Sequence, residues 1–251
     1  MEKWIKNECY ELNKNSINSL FDNKIPIIIV KNFLSKEICE NIKNEIERIW
    51  VEYYVKTTPK IGKIGITQYE FSNNKQDFFN KVNIYNNKMT KIHKIRNFLI
   101  KTISFNNSCK STIAFEKEMK SYYFAGLIRL INNSALLHID YAPRDAKGWD
   151  ISKINSQIAW NIFISDDPST KGIVYNKLWE DYDEKFKNVN NYGYDYSVVN
   201  DKDKIEYNSN QGDLVLFNSR NYHEVSKAKN KTITLSSFIG RLSNENFIFW
   251  S

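Results

Sequence analysis

From about residue 120 onward the chain breaks into eight short segments of strand character, and no other feature of the sequence limits the fold as tightly. They span residues 122–131, 136–140, 157–164, 172–175, 205–207, 213–217, 222–226 and 231–239, and turn-prone Asn, Asp, Ser and Gly separate them. Eight strands of this size suit a closed or nearly closed barrel, such as a double-stranded β-helix of the jelly-roll, cupin-like kind. Residues 177–204 stand apart: they are rich in Tyr, Asn and Asp and poorly periodic, and they read as a lid over the barrel mouth.

The first part of the chain has a different texture. A strand is expected around Ile25 to Val30, and Ser35 is a fitting N-cap for a helix carrying Ile38, Ile42, Ile46 and Ile49. A loop rich in Gly and Lys follows at 59–65, then further helical pattern through Phe78 and Phe79 and from Ile92 to Leu99. With no repeat and no low-complexity linker, a single domain over 1–251 is expected. Residues 1–118 would form a mostly helical part packed on the barrel core of 119–251, which carries the 177–204 insertion.

Composition narrows the class. At 41% hydrophobic and 14% aromatic, the 251 residues hold ample core material. No apolar run approaches the roughly 20 residues that span a bilayer, and residues 1–15 contain no apolar leader region, so a cytoplasmic protein is expected. The charge of +7 comes from 36 Lys and Arg against 29 Asp and Glu, scattered rather than gathered into a stripe. That dispersal disfavours a nucleic-acid partner. Cys9, Cys39 and Cys109 are odd in number and far apart, which points to reduced thiols rather than a disulfide or metal cluster.

Of the three histidines, His93 sits in a basic helical stretch and reads as a surface or structural residue. The other two fall among strands. In a strand, positions i and i+2 share a face, so His138 and Asp140 can converge, and His223 follows the apolar strand after Gly212 and Asp213. Two imidazoles and one carboxylate on neighbouring strands make the facial triad of non-haem Fe(II) oxygenases. A His-x-Asp pair alone is more often a hydrogen-bonded surface pair; the ordered succession of strands, turn and second histidine favours the metal site.

This succession, from His138-x-Asp140 through Gly212-Asp213-Leu214-Val215-Leu216-Phe217-Asn218 to His223-Glu224-Val225, resembles the core motif of the Fe(II)/2-oxoglutarate-dependent oxygenase superfamily. The resemblance covers roughly residues 120–251. Residues 237–241 and 249–251, with Gly172-Ile173-Val174-Tyr175 and Trp179, are also similar to the branch that includes the aliphatic halogenases of hapalindole-type alkaloid biosynthesis. Those halogenases replace the metal-binding carboxylate with a small residue that leaves room for chloride. Asp140 is retained here, so the resemblance implies hydroxylation instead. It implies Fe(II), 2-oxoglutarate and O2 at His138, Asp140 and His223, with a small-molecule substrate, an amino acid or natural-product intermediate, and release of succinate and CO2. A peptide or protein hydroxylase and a catalytically silent metabolite-binding barrel are the alternatives.

2-Oxoglutarate needs a cation for its distal carboxylate, because an unpaired buried charge is costly. Lys231 and Arg129 are equal candidates, with Arg241 behind them. Thr232 and Thr234 alternate with apolar neighbours and compete with Lys231 for the interior face. Asn161 interrupts the apolar run 159–164, and its amide can bond the co-substrate or serve the sheet. Arg144, four residues beyond Asp140, can pair an anionic substrate group or stay solvated.

Overall fold

The computed structural model describes residues 4–6, 8–55, 57–227, 229–243 and 246–251. The leader expectation rests in part on residues 1–3 and 7, which lie outside the described residues. The chain is mixed α/β with a large β content. Its principal strands are β1 (Ile27–Val30), β2 (Ile61–Ile64), β3 (Leu127–Ile131), β4 (Ala135–His138), β5 (Ser156–Ser165), β6 (Gly172–Leu178), β7 (Lys204–Tyr207), β8 (Leu214–Asn218), β9 (Asn221–Val225), β10 (Thr232–Ser243) and β11 (Asn246–Trp250). The larger sheet runs β1-β8-β5-β10-β3-β2, with β11 paired along the outer half of β10, and the smaller runs β7-β6-β9-β4.

Period-two patterning sets what each strand buries. Along β5, Ile158, Trp160, Ile162 and Ile164 enter the core cluster shared with the helices, while Ala159, Asn161 and Phe163 face a cavity between the sheets. β10 repeats the arrangement, with Ile233 and Leu235 in the core and Thr232 and Thr234 lining the cavity. Residues of both sheets, including Ala159, Val215 and Phe217 from one and Val174 and Ile205 from the other, close the space at one end.

Four helices, α1 (Lys14–Phe21), α2 (Lys36–Ile46), α3 (Lys75–Lys88) and α4 (Thr90–Asn107), cover the outer face of the larger sheet through that shared core. Ser35 caps α2, its side chain accepting from Ile38 N at 3.3 Å. The buried stripe is Cys39, Ile42 and Ile46; Ile38 is exposed and Ile49 lies past the helix end, so two of the four expected isoleucines are not on it.

Other expectations need revision. The loop expected at 59–65 contains β2, paired with β3 on one side and with Glu52–Tyr53 on the other, and its buried Lys63 is neutralised by Glu52 and Glu70 at 3.0 and 3.1 Å. The segment 122–131 is interrupted: Ser121–Tyr122 pairs with Phe115–Glu116, and β3 begins only at Leu127, after Gly126 with φ +95°. The segment 136–140 ends as a strand at His138. Residues 179–199 hold two short 3-10 turns, Asp181–Phe186 and Tyr196–Val199. Trp179, Tyr194, Val198 and Val199 bury against Leu137, Ile139 and Tyr222 of the smaller sheet. This local apolar cluster orders a stretch whose sequence has no period.

Two glycines are required by close approach. At Gly240 a Cβ would meet the Trp250 ring at 2.7 Å and Ile154 at 2.5 Å. Gly212 has φ +90°, and a Cβ there would lie 2.3 Å from the Leu34 carbonyl oxygen. Beside it, Asp213 accepts from Lys31 Nζ at 2.7 Å and from Asn32 N at 3.0 Å, pinning the chain after β1 to the start of β8.

Candidate metal centre

β4 and β9 are antiparallel neighbours, and their register sets His138 opposite His223. Two rings at facing positions share one side of the sheet, and their centroids lie 4.2 Å apart. His138 Nδ1 donates to the Leu136 carbonyl at 2.6 Å, and His223 Nδ1 donates to the Asn221 carbonyl at 2.9 Å. A carbonyl can only accept, so both rings carry their proton on Nδ1 and turn an Nε2 lone pair to the cavity.

Asp140 reaches the same point by another route than strand alternation. Two residues beyond the end of β4, its N–H donates to Ser219 O at 2.9 Å, and Ser219 Oγ donates back to its carbonyl at 2.9 Å. This clasp with the β8–β9 turn aims the carboxylate inward. Asp140 Oδ2 lies 3.5 Å from His223 Nε2 and 3.9 Å from His138 Nε2, and one ligand atom from each residue falls within 4.8 Å of the others. Burial opposes the charge on Asp140, but the neighbouring His223, His138 and Arg129 outweigh it and hold the carboxyl well below its ordinary range. Burial first, then the neighbouring His223, pushes His138 down to about 4. The donor set is two imidazole nitrogens and a carboxylate oxygen, which fits a divalent first-row ion with open positions.

The cavity holding these atoms has a volume of about 680 Å³. Arg129 lines it from β3, cross-strand from Thr234, with the Tyr54 hydroxyl beside its guanidinium and the Phe238 ring 5.8 Å away. Among the described residues no carboxylate lies within ion-pairing distance of Arg129. Thr232 Oγ1 is buried with no hydrogen-bond partner and lines the same space. The Asn161 side chain also faces the cavity.

The remaining cations named from sequence lie elsewhere. Lys231 precedes β10, is exposed and does not line the cavity, as alternation demands once Thr232 and Thr234 point inward. Arg241 pairs with Asp22 at 2.8 Å and Asn155 at 3.0 Å. Arg144 lines the cavity, but its guanidinium forks onto Glu184 at 2.7 and 3.1 Å and reaches Asp145 at 2.6 Å. Burial works against ionisation of Glu184, yet Arg144 and Tyr194 push it down to about 2. His93 packs edge-on to Phe124 at 5.9 Å, and its Nε2 is buried without a partner.

Several residues around the cavity carried no local signal in the sequence. Tyr54 precedes a segment read as loop, and Gln68 and Lys187 belong to no motif. Tyr192 stands in the aperiodic insertion, yet its hydroxyl accepts from Leu136 N at 2.7 Å and its ring meets His138 edge-on at 5.4 Å. Only the long-range fold brings them to the site.

The profile of the family described as carrier-protein-independent halogenase WelO5 matches residues 1–251. The leucinostatins biosynthesis cluster protein S of Purpureocillium lilacinum is 34% identical over 208 residues, 76% of this chain and 84% of that protein. The L-isoleucine 3(1)-dioxygenase of Pantoea ananatis is 23% identical over 90% of this chain and 83% of its own. Among solved structures, an N-substituted L-amino acid dioxygenase from Burkholderia ambifaria, in complex with alpha-KG, is similar with a TM-score of 0.66 at 12% identity, over 94% of this chain and 90% of that one.

Proposed function

The chain belongs to the family of the carrier-protein-independent halogenase WelO5, and from that membership we propose that it is an Fe(II)- and 2-oxoglutarate-dependent dioxygenase. Its reaction is hydroxylation of an unactivated C–H bond in a small metabolite, an amino acid or natural-product intermediate, with release of succinate and CO2. The observation that carries this reading is the Asp140 carboxylate, aimed with two Nε2 lone pairs at one point.

The division of β3 to β10 between two sheets, β3, β5, β8 and β10 in one and β4, β6, β7 and β9 in the other, supports a double-stranded β-helix of the jelly-roll kind. The core shared by helices and larger sheet supports one domain. No helix among the described residues is long and apolar enough to cross a membrane, and the three cysteines are free, which together favour the cytoplasm.

His138, Asp140 and His223 would hold the iron, and their Nδ1–H bonds to backbone carbonyls fix ring tautomer and orientation. When bound, Fe(II) with 2-oxoglutarate and O2 supplies the oxidising power for C–H cleavage. Arg129 pairs the distal carboxylate of 2-oxoglutarate, since a planar guanidinium takes a carboxylate through two hydrogen bonds. Thr232, Thr234 and Asn161 offer it further polar contacts from the same wall. Asp140 fills the place that a halide would need, so this donor set favours hydroxylation over halogen transfer. Phe163, Phe217 and Phe238 line the chamber and keep it apolar.

Anaerobic addition of Fe(II) and 2-oxoglutarate should give a weak visible charge-transfer band, and Asp140→Ala should abolish substrate-dependent succinate formation. Absence of the band together with absence of 2-oxoglutarate affinity would leave a silent binding barrel in place of the enzyme.

A further inference from the structure

Besides the wall that carries Arg129 and the threonines, the cavity has a second polar end, lined by the 67–77 segment, the 139–145 turn and the insertion. Lys187 lines it, half-buried, and among the described residues no carboxylate lies within ion-pairing distance of its Nζ. Its backbone is held in place: Lys187 N donates to Glu184 O at 3.1 Å, and the residue forms an antiparallel bridge with Tyr194. An unpaired ammonium on an anchored backbone beside Arg144 is a receptor for an anion.

Asp145 lines the same end. One of its oxygens takes Arg144 Nη1 at 2.6 Å and the other takes Tyr141 N at 3.3 Å, which leaves lone pairs on both. Burial, opposed by Arg144 and reinforced by the field of Asp140, raises its pKa, so an added cation there relieves a real electrostatic cost. Tyr69 lines the cavity together with Asp140, Arg144 and Asp145, so this end and the metal ligands share one space. Gln68, 4% exposed, also lines the cavity with a buried Nε2 that has no partner. Arg144 itself is forked onto Glu184, so an anion binding to it has to displace a carboxylate already in two hydrogen bonds.

Resting on the dioxygenase reading, we propose that this end recognises the zwitterion of a free amino acid, with Lys187 pairing the substrate carboxylate and Asp145 accepting from its ammonium. The side chain of the amino acid is then the part presented to His138, Asp140 and His223. A cation without an ion pair and a carboxylate with spare lone pairs on one wall select for both groups together, because leaving either partner buried and uncompensated is costly.

The test is a thermal-shift titration of the protein loaded with Zn(II) and 2-oxoglutarate, using the proteinogenic L-amino acids, their carboxamides and their N-acetyl forms as probes. At least one free amino acid should raise Tm, while its carboxamide and N-acetyl form bind far more weakly. Lys187→Gln should weaken that amino acid by about tenfold to a hundredfold, the range for losing a charge-assisted hydrogen bond, and Lys187→Arg should restore part of it. The Tm rise caused by 2-oxoglutarate alone should persist in both variants, which shows that they fold and keep the co-substrate site. Equal binding of the carboxamide, or an unchanged affinity in Lys187→Gln, overturns the role of Lys187. Undiminished binding of the N-acetyl form overturns that of Asp145. A response to 2-oxoglutarate but to no free amino acid overturns the substrate class and leaves the dioxygenase standing; no response to 2-oxoglutarate at all sinks the dioxygenase reading and this inference with it.

Discussion

The Tyr192 hydroxyl accepts a 2.7 Å hydrogen bond from the N–H of Leu136, the residue whose carbonyl takes the Nδ1 proton of His138. A side chain of the insertion thus steadies the peptide that orients a metal ligand, and its ring stands edge-on to the same imidazole. Removing the hydroxyl leaves a buried N–H unpaired and loosens the ring. Tyr192→Phe should weaken Fe(II) binding by about threefold to tenfold, below the 10–100-fold typical of a direct partner of a ligand. Anaerobic metal titration checks this, and an unchanged affinity would separate the insertion from the metal site.

Arg129 and Lys231 were equal candidates for the co-substrate carboxylate, and their placement separates them. Arg129→Met should raise KM for 2-oxoglutarate about a hundredfold, the scale of a lost bidentate charge pair. Lys231→Ala should leave it unchanged, since that side chain is exposed outside the cavity. Steady-state kinetics with varied 2-oxoglutarate reads both.

His93 ties stability to pH. Burial first, and Arg96 second, lower its pKa from 6.5 to about 4. Between these values the unfolded chain binds a proton that the folded one refuses, so stability rises with pH across this window and is lost as pH falls through it. The loss reaches at most about 3 kcal/mol by pH 4, at about 1.4 kcal/mol per unit. Urea denaturation from pH 7 to pH 4 should show this slope together with that of His138, also held near 4, and His93→Phe should reduce it without abolishing it.

Gly212 should tolerate no side chain. Gly212→Ala has to abandon φ +90° or push the Leu34 carbonyl aside, at a cost of about 2–4 kcal/mol. The midpoint of thermal unfolding should fall accordingly, whereas Gly148→Ala, where a Cβ meets nothing within 4 Å, bears only the φ +84° penalty and should cost less.

The sequence by itself determined where most of the strands after residue 120 run, which positions on β5 and β10 are apolar, and which two histidines accompany a carboxylate. These follow from local alternation and from turn residues, both properties of a few neighbouring positions. Even so, Asp140 arrives by a loop clasped to Ser219 instead of by strand alternation, and β2 buries Lys63 against two glutamates. Only the tertiary structure decided that Arg144 is spent on Glu184, forty residues away, while among the described residues Arg129 and Lys187 have no carboxylate within ion-pairing distance. The role of a charged side chain depends on which opposite charge the fold brings within a few ångströms, and no local pattern encodes that distance.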